Sequence, residues 1–205
     1  MRNSVRFPSG QGLLETTIAI GIIVTGLFAA LTLAMANGRG SDAAALRFGA
    51  VQAAREGIEI ARAMRDSNWL AGGVVPWDQG MTGSADQRYI AVAVLHPETR
   101  TWRFDFVEER FDQLGARLVR PREGSLPFWT QGVTSGAVDA SPYRRLIAVY
   151  PICADGSIVR SGAPCDATQP VPGPKVGIRV QSRVAWEHRG RTESAVAEED
   201  LYNWR

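Results

Sequence analysis

The sequence contains few of the side chains on which metal binding and nucleophilic catalysis depend. Its 205 residues include two cysteines and two histidines, and His96 and His188 lie far apart along the chain. Neither histidine lies near a cysteine, and no CxxC, P-loop, GxGxxG or GxSxG motif stands in a suitable context. The adjacent acids at 108–109 and 198–200 are more typical of solvated faces than of acid–base pairs. The sequence therefore predicts no enzymatic activity, no catalytic residues, no metal site and no cofactor.

A large excess of charge is also lacking. The formal net charge is +2, from 23 Lys and Arg against 21 Asp and Glu. Arg2 and Arg6 lie in the first ten residues, which contain no acid, so the rest of the chain has 21 basic and 21 acidic residues. A neutral body gives no basis for bulk electrostatic binding of nucleic acid or of an anionic membrane.

The two cysteines, Cys153 and Cys165, are close in sequence and flanked by loop residues such as Gly156 and Pro164. In an exported protein this pair predicts a disulfide that closes the loop between them. Such a bridge would contribute about 3 kcal/mol by restricting the unfolded chain. In a reducing compartment the same two residues would be free thiols.

The longest apolar run covers residues 13–36 and contains one charged residue, Glu15. As a helix it would be about 36 Å long, enough to cross a hydrocarbon core of about 30 Å. It is too long for a cleaved secretory signal, whose apolar region spans roughly 7–15 residues. Arg2 and Arg6 before it predict a cytoplasmic N-terminus and a head outside. A plain signal anchor fits equally well, but it explains Glu15 only by the helix dipole in a first turn.

Residues 10–20 carry a more specific pattern, Gly10-Gln11-Gly12-Leu13-Leu14-Glu15 followed by Thr16-Thr17-Ile18-Ala19-Ile20. This string closely resembles the cleavage and methylation motif of type IV prepilins and pseudopilins. In that family a short basic leader ends in glycine, and a glutamate lies at the fifth position after the cut. The resemblance implies that a prepilin peptidase removes the leader, residues 1–10, by cutting between Gly10 and Gln11. It also implies N-methylation of Gln11, although the family usually has phenylalanine at this first mature position.

The resemblance gives Glu15 a partner. Cleavage creates an α-amino group on Gln11, which is mostly cationic at neutral pH. In a medium of low dielectric constant, an opposite charge offsets much of the cost of burying either group. By resemblance to the family, Glu15 of one subunit pairs with the Gln11 amine of its neighbour and sets the axial stagger of a filament. Small residues of the same helix, such as Gly21 and Gly26, would allow close helix–helix contact.

The same resemblance implies the class of function and its partners. We expect a structural subunit, of the minor kind, of a type IV pilus-like filament. Its partners would be other pilin subunits, the prepilin peptidase and an inner-membrane assembly platform. It would be a single-pass protein of the cytoplasmic (inner) membrane that then enters a surface filament. A pseudopilin of a type II secretion system has the same helix and uses the same peptidase, so the sequence leaves both alternatives open.

The rest of the chain predicts a longer helix and a β-rich head. Apolar residues at helical spacing predict an amphipathic half of the helix over 37–71. At its start, residues 37–40 (Asn-Gly-Arg-Gly) predict a kink or melted turn. Strands are predicted at 88–96, 102–106, 113–120, 145–152, 176–187 and 192–198, with loops at 121–141 and 153–174. The expected fold is α+β: a long N-terminal helix, with a transmembrane half (11–36) and an amphipathic half, packed on an antiparallel sheet in a pilin-like head of residues 72–205.

A DNA-binding tip pilin is the remaining alternative. The basic residues are nearly all arginine, with Lys175 the only lysine. Arginines interleaved with aromatic rings can bind a single strand by stacking and charge. The candidates are Arg100 and Arg103 with Trp102, Arg144 and Arg145 with Tyr143, and Arg189 and Arg191 with Trp186. The competing interpretation is that alternate strand positions face solvent and that arginine is the usual polar residue of this chain.

Overall fold

The computed structural model describes residues 11–82, 89–96, 98–122, 129–132, 138–160, 165 and 174–203. The chain divides into two units, Met1–Leu46 and Arg47–Arg205. One helix, α1 (Gln11–Leu70), contributes residues to both units. The predicted leader, residues 1–10, lies outside the described residues.

In the first unit, α1 is an apolar helix whose side chains are not part of a protein core. Every side chain from 12 to 42 is exposed. Within the described residues, Gly12–Leu70 is the helix that is long and apolar enough to cross a membrane. The exposed large apolar residues are Leu13, Leu14, Ile18, Ile20, Ile22, Ile23, Val24, Leu27, Phe28, Leu31, Leu33 and Met35.

The helix continues through residues 37–40, so the melted turn predicted there is wrong. Each glycine costs about 1 kcal/mol of helix stability relative to alanine. That cost does not end a helix that continues on both sides, because its hydrogen bonds propagate once the helix has formed. The helix ends at Leu70, just before Gly72 and Gly73, whose φ angles of 72° and 86° cannot continue a right-handed helix.

In the second unit, six strands form one antiparallel sheet. They are β1 (Ile90–Leu95), β2 (Trp102–Phe106), β3 (Arg117–Pro121), β4 (Val138–Cys153), β5 (Lys175–His188) and β6 (Arg191–Tyr202). The order across the sheet is β2-β1-β4-β5-β6. Strand β3 lies off this path and pairs with the first half of β4, whereas β1 pairs further along the same strand. The expected α+β fold, a long N-terminal helix packed on an antiparallel sheet, is confirmed.

Strands β4 and β6 extend several residues beyond the predicted bounds, and β3 begins four residues later than predicted. Strand β4 begins at Val138, inside the predicted loop 121–141, and it accommodates Pro142 where its register with β3 shifts and before its pairing with β5 begins at Tyr143. Strand β6 extends to Tyr202 through an acidic run that pairs with residues of β5. The first residues of the predicted strand 113–120 instead include a 3₁₀ helix (Leu114–Ala116).

Residues 47–70 of α1 pack on the sheet through a face of small side chains. Ala50, Ala53, Ala54, Gly57 and Ala61 are all buried on this face. A Cβ added at Gly57 would lie 3.0 Å from Ser182 Cβ and 3.2 Å from Arg145 Cδ, closer than normal contact. The small residues therefore let the helix backbone approach β4 and β5 closely.

Further along the helix, larger apolar residues form the main core. Ile58, Ile60 and Met64 pack in one cluster with buried residues of the strands and of the loop after the helix. The strand and loop members of this cluster are Met81, Ala91, Ala93, Phe104, Ile147, Val149, Ile178, Val180 and Leu201. A second cluster, built around Ile90, Leu146 and Tyr150, contains the alternate residues of β1 and β4. Both faces of β1 and of residues 145–150 of β4 are therefore largely buried.

We predict that Gly57→Val destabilises the head by about 1–3 kcal/mol, because the added methyl groups overlap Ser182 and the stem of Arg145. The matched control is Ala63→Val, which adds a similar branched side chain at an exposed position of the same helix. Thermal unfolding of the full chain in detergent micelles measures both. Equal melting temperatures for the two variants would show that the close helix–sheet contact is not there.

Candidate functional site

The structure describes only part of the predicted cleavage site. Gly10 lies outside the described residues, and Gln11 is the first residue of α1. A helix rises 1.5 Å per residue, so Glu15 lies about 6 Å along the axis from Gln11. Residues four apart also lie on nearly the same helix face. The backbone nitrogen exposed by the predicted cut and the carboxylate of Glu15 would thus be presented together.

The other polar side chains of the apolar run form hydrogen bonds within the helix. Thr16, Thr17, Thr25 and Thr32 each donate a hydroxyl hydrogen bond to a backbone carbonyl three or four residues earlier, at 2.8–3.0 Å. This arrangement lets a hydroxyl enter an apolar medium without an unpaired donor. These threonines are therefore compatible with hydrocarbon on every side of the helix.

Glu15 is the exception. It makes no hydrogen bond or ion pair within the described residues, and its helix neighbours in the run are apolar or threonine. Glu15 is the fifth residue of α1 as the structure describes this helix, from Gln11 onward. The apolar run 13–36 thus carries one carboxylate that has no partner within the described residues.

Small residues give this helix open grooves on its surface. A Cβ added at Gly12, Gly21 or Gly26 would meet no heavy atom within 4 Å. These glycines are therefore not needed for packing within the described part of the chain. They leave room for the close approach of another helix.

Cys153 and Cys165 form a disulfide, with a Cα–Cα distance of 5.4 Å. Both residues are buried. Cys153 is the last residue of β4, and its backbone N–H donates to the Ser157 carbonyl at 2.9 Å. The bridge therefore holds residue 165 against the end of β4.

Arg145 lies fully buried between α1 and the sheet, a placement that was not predicted. Its Nη1 donates to the Ala53 carbonyl of the helix at 3.0 Å, and its Nε donates to Gln131 Oε1 at 3.0 Å. Gln131 is also fully buried, and its Nε2 donates to the carbonyls of Arg145 and Ala116. Burial lowers the pKa of Arg145 to about 10, opposed by the charge of Glu56, whose carboxylate lies 3.8 Å from Nη1. These buried hydrogen bonds connect the helix to the sheet.

The arginines predicted to interleave with aromatic rings do not form one surface. Arg145 and Trp186 are buried, so neither is available to a nucleic acid. Arg103 pairs with Asp105 at 3.1 Å, which neutralises its charge locally. Trp102, between Arg100 and Arg103, is half-buried against the main core.

The acidic run 198–200 is not a simple solvated face, contrary to the prediction. Arg179 binds Asp200 directly opposite it, with Nε and Nη2 donating to the two carboxylate oxygens at 2.7 and 2.8 Å. Glu199 receives two hydrogen bonds from Arg62 of α1, at 2.9 and 2.5 Å. The hydrogen bonds from Arg179 lower the pKa of Asp200. These pairs hold the edge strand β6 to β5 and to the helix.

In the part of the chain that the structure describes, no group of three His, Cys, Asp or Glu side chains lies together in a way that could hold a metal ion. Comparisons with protein-family models, curated proteins and solved structures found no match to this chain.

We predict that Arg145→Ala destabilises the chain by about 3–5 kcal/mol, because it leaves a cavity and removes the donor to Ala53 and Gln131. The control is Arg144→Ala at the neighbouring, half-buried position, which we expect to cost well under about 1 kcal/mol. Chemical denaturation measures both. A loss for Arg145→Ala no larger than that of its neighbour would contradict the buried network.

We predict that Asp200→Asn costs about 0.5–1 kcal/mol at pH 7 and progressively less as the pH is lowered toward 2. The pKa of Asp200 is lower in the folded chain than in the unfolded chain. Its contribution is therefore present above the unfolded pKa and is lost as the pH falls through the folded pKa. Melting temperatures at pH 7, 4 and 2 measure the difference, with Glu193→Gln on the same strand as the control. A difference between Asp200→Asn and the parent chain that did not change with pH would refute the ion pair.

Proposed function

We propose that the chain is a structural subunit, of the minor kind, of a type IV pilus-like filament. A prepilin peptidase would cut between Gly10 and Gln11, and the remaining helix would hold the subunit first in the membrane and then in the filament. The proposal includes N-methylation of Gln11 and docking on an inner-membrane assembly platform. It is supported by the string at residues 10–20 and by the exposed apolar helix that follows it.

The observation that carries this proposal is the unpaired carboxylate of Glu15. An ionised side chain within a membrane helix costs about 2.5–3.5 kcal/mol at the centre and less toward an end. The threonines around it have internal partners, whereas Glu15 has none in the described chain. A charge kept at such a cost is explained if its partner comes from another molecule.

The amine that cleavage would create on Gln11 is a suitable partner. Pairing with the amine of a neighbouring copy would neutralise both charges and would also fix the axial offset between the two helices. Pairing with the amine of the same chain would neutralise the charges without fixing any offset. The two arrangements therefore differ in whether assembly depends on Glu15.

The proposed topology follows from the same segment. Arg2 and Arg6 precede the apolar helix, which favours a cytoplasmic N-terminus and a head on the outer side of the inner membrane. A disulfide between Cys153 and Cys165 is in keeping with an oxidising compartment. A pseudopilin of a type II secretion system would share every one of these features. Loss of surface filaments or loss of protein secretion in a deletion strain distinguishes the two.

We predict that Glu15→Gln and Glu15→Ala leave leader cleavage largely intact but reduce incorporation into filaments at least tenfold. Both variants remove the charge, and Glu15→Gln keeps the size of the side chain. Shearing and immunoblotting of filaments, compared with the membrane fraction, measures incorporation.

Two further variants serve as controls. Thr25→Val removes a polar group that is already satisfied within the helix, so it should assemble normally. Gly10→Leu should retain the leader, seen as a band about 1 kDa heavier by its roughly ten extra residues, and so marks failed cleavage. Normal incorporation of the Glu15 variants would eliminate pairing between subunits as the role of this residue.

A further inference from the structure

A pocket of about 340 Å³ lies at the end of α1 in the second unit. Its lining residues come from the last turn of the helix, the loop after it and the end of β6. They are Asn68, Trp69, Val75, Trp77 and Asn203, together with the backbone at 72–73. This volume is at the lower end of the range for small-molecule sites in proteins, about 300–1,000 Å³.

The loop after α1, which forms one wall of the pocket, is fixed by contacts with the helix, the main core and β5. Asn68 Nδ2 donates to the carbonyls of Trp77 and Gln79, each at 3.0 Å. Met81 is fully buried in the main core, and Asp78 pairs with Lys175. These contacts fix the loop on both sides of Trp77, so the pocket is formed before any ligand arrives.

The described lining residues combine aromatic rings with carboxamides and include no acidic or basic side chain. Residues 67–77 contain no acidic or basic side chain. Within the described residues, the Asn68 Oδ1 atom and the Asn203 carboxamide make no hydrogen bond, and Asn203 is exposed. A carboxamide offers two donors and an acceptor with two lone pairs. Arg65 lies beside one lining ring: its guanidinium is 4.5 Å from the centre of the Trp69 ring and pairs with Asp66.

We infer that this pocket binds a small neutral carbohydrate. The apolar C–H face of a sugar ring packs against an indole, whose π face is electron-rich, and the half-buried Trp77 supplies such a surface. The sugar hydroxyls both donate and accept hydrogen bonds, as the two carboxamides do. The uncharged lining gives no counter-charge to a phosphate, a sulfate or a nucleic acid.

Two exposed apolar residues that neighbour the lining residues in sequence, Leu70 and Val74, are called the rim and offer a competing surface. Leu70 and Val74 are 83% and 85% exposed, and exposed apolar residues of this kind can also mark a protein interface. A protein partner would depend on these rim residues. A sugar held in the pocket would depend on Trp77 and Asn203. Variants at the two places therefore separate the two occupants.

The test is a glycan array probed with the full-length chain in a zwitterionic detergent, because alkyl glycoside detergents carry the ligand class under test. The array presents neutral oligosaccharides of glucose, galactose and N-acetylglucosamine beside sulfated and sialylated ones, with single-stranded DNA as a further probe. We expect retention on at least one neutral glycan. Asn203→Ala and Trp77→Ala should weaken it at least tenfold, whereas Leu70→Ser and Val74→Ser should change it less than twofold.

Asn203→Ala keeps the test decisive if Trp77→Ala fails to fold, because the Asn203 side chain is exposed and makes no described contact. Four outcomes would overturn the inference: no retention on any neutral glycan, retention that Asn203→Ala leaves unchanged, equal losses from the rim variants, or binding confined to acidic glycans or DNA. None of these outcomes bears on leader cleavage or on Glu15, so the filament proposal stands or falls separately.

Discussion

Arg145 is fully buried where α1 crosses the sheet, and its guanidinium binds a helix carbonyl on one side and the Gln131 carboxamide on the other. Gln131 in turn accepts from the backbone N–H of Ala93 in β1 at 3.2 Å. One buried cation thus connects the helix, β4 and β1. The small residues of the helix make this arrangement possible, since Gly57 leaves the space through which the arginine stem passes. This contact therefore fixes the position of residues 47–70 of the helix on the central strands.

The cost of removing a charge from water applies to Glu15 near the N-terminus as it does to Arg145, but with a different outcome. A charge removed from water needs an opposite charge or hydrogen bonds to offset its desolvation. Arg145 finds its partners inside the head, and Glu56 lies close to it. Glu15 has no partner within the described residues, which leaves water, lipid headgroups, the amine of its own chain and the amine of another copy as candidate partners. The proposed function takes the last of these.

Much of the fold could be predicted from the alternation of residue types. The predicted strand 102–106 coincides with β2, and the predicted strand 176–187 lies one residue inside β5 at each end. The first residues of β4 could not be predicted, because Ser141 and Pro142 are typical of turns. The local sequence does not show the register shift that accommodates these two residues within the strand. The end of β6 could not be predicted either, because its acidic residues are typical of a solvated segment and their partners lie on β5 and α1.

The inner cluster and the pocket could not be predicted, for a related reason. Arg145 has nothing in its local sequence that separates it from Arg144, and the groups it binds lie 14 and 92 residues away. The stretch after the helix contains Gly72, Gly73 and Pro76 and therefore indicated only a break. Its fixed shape depends on Asn68, Asp78 and Met81, whose contacts exist only in the folded chain.

The measurement that tests the central claim most directly is mass spectrometry of the N-terminal peptide from the chain purified out of its native membrane. A peptide that begins at Gln11, with or without one methyl group on its amine, is the expected result. A peptide that begins at Met1 would contradict the proposal, because the chain would then lack the amine that Glu15 is proposed to meet.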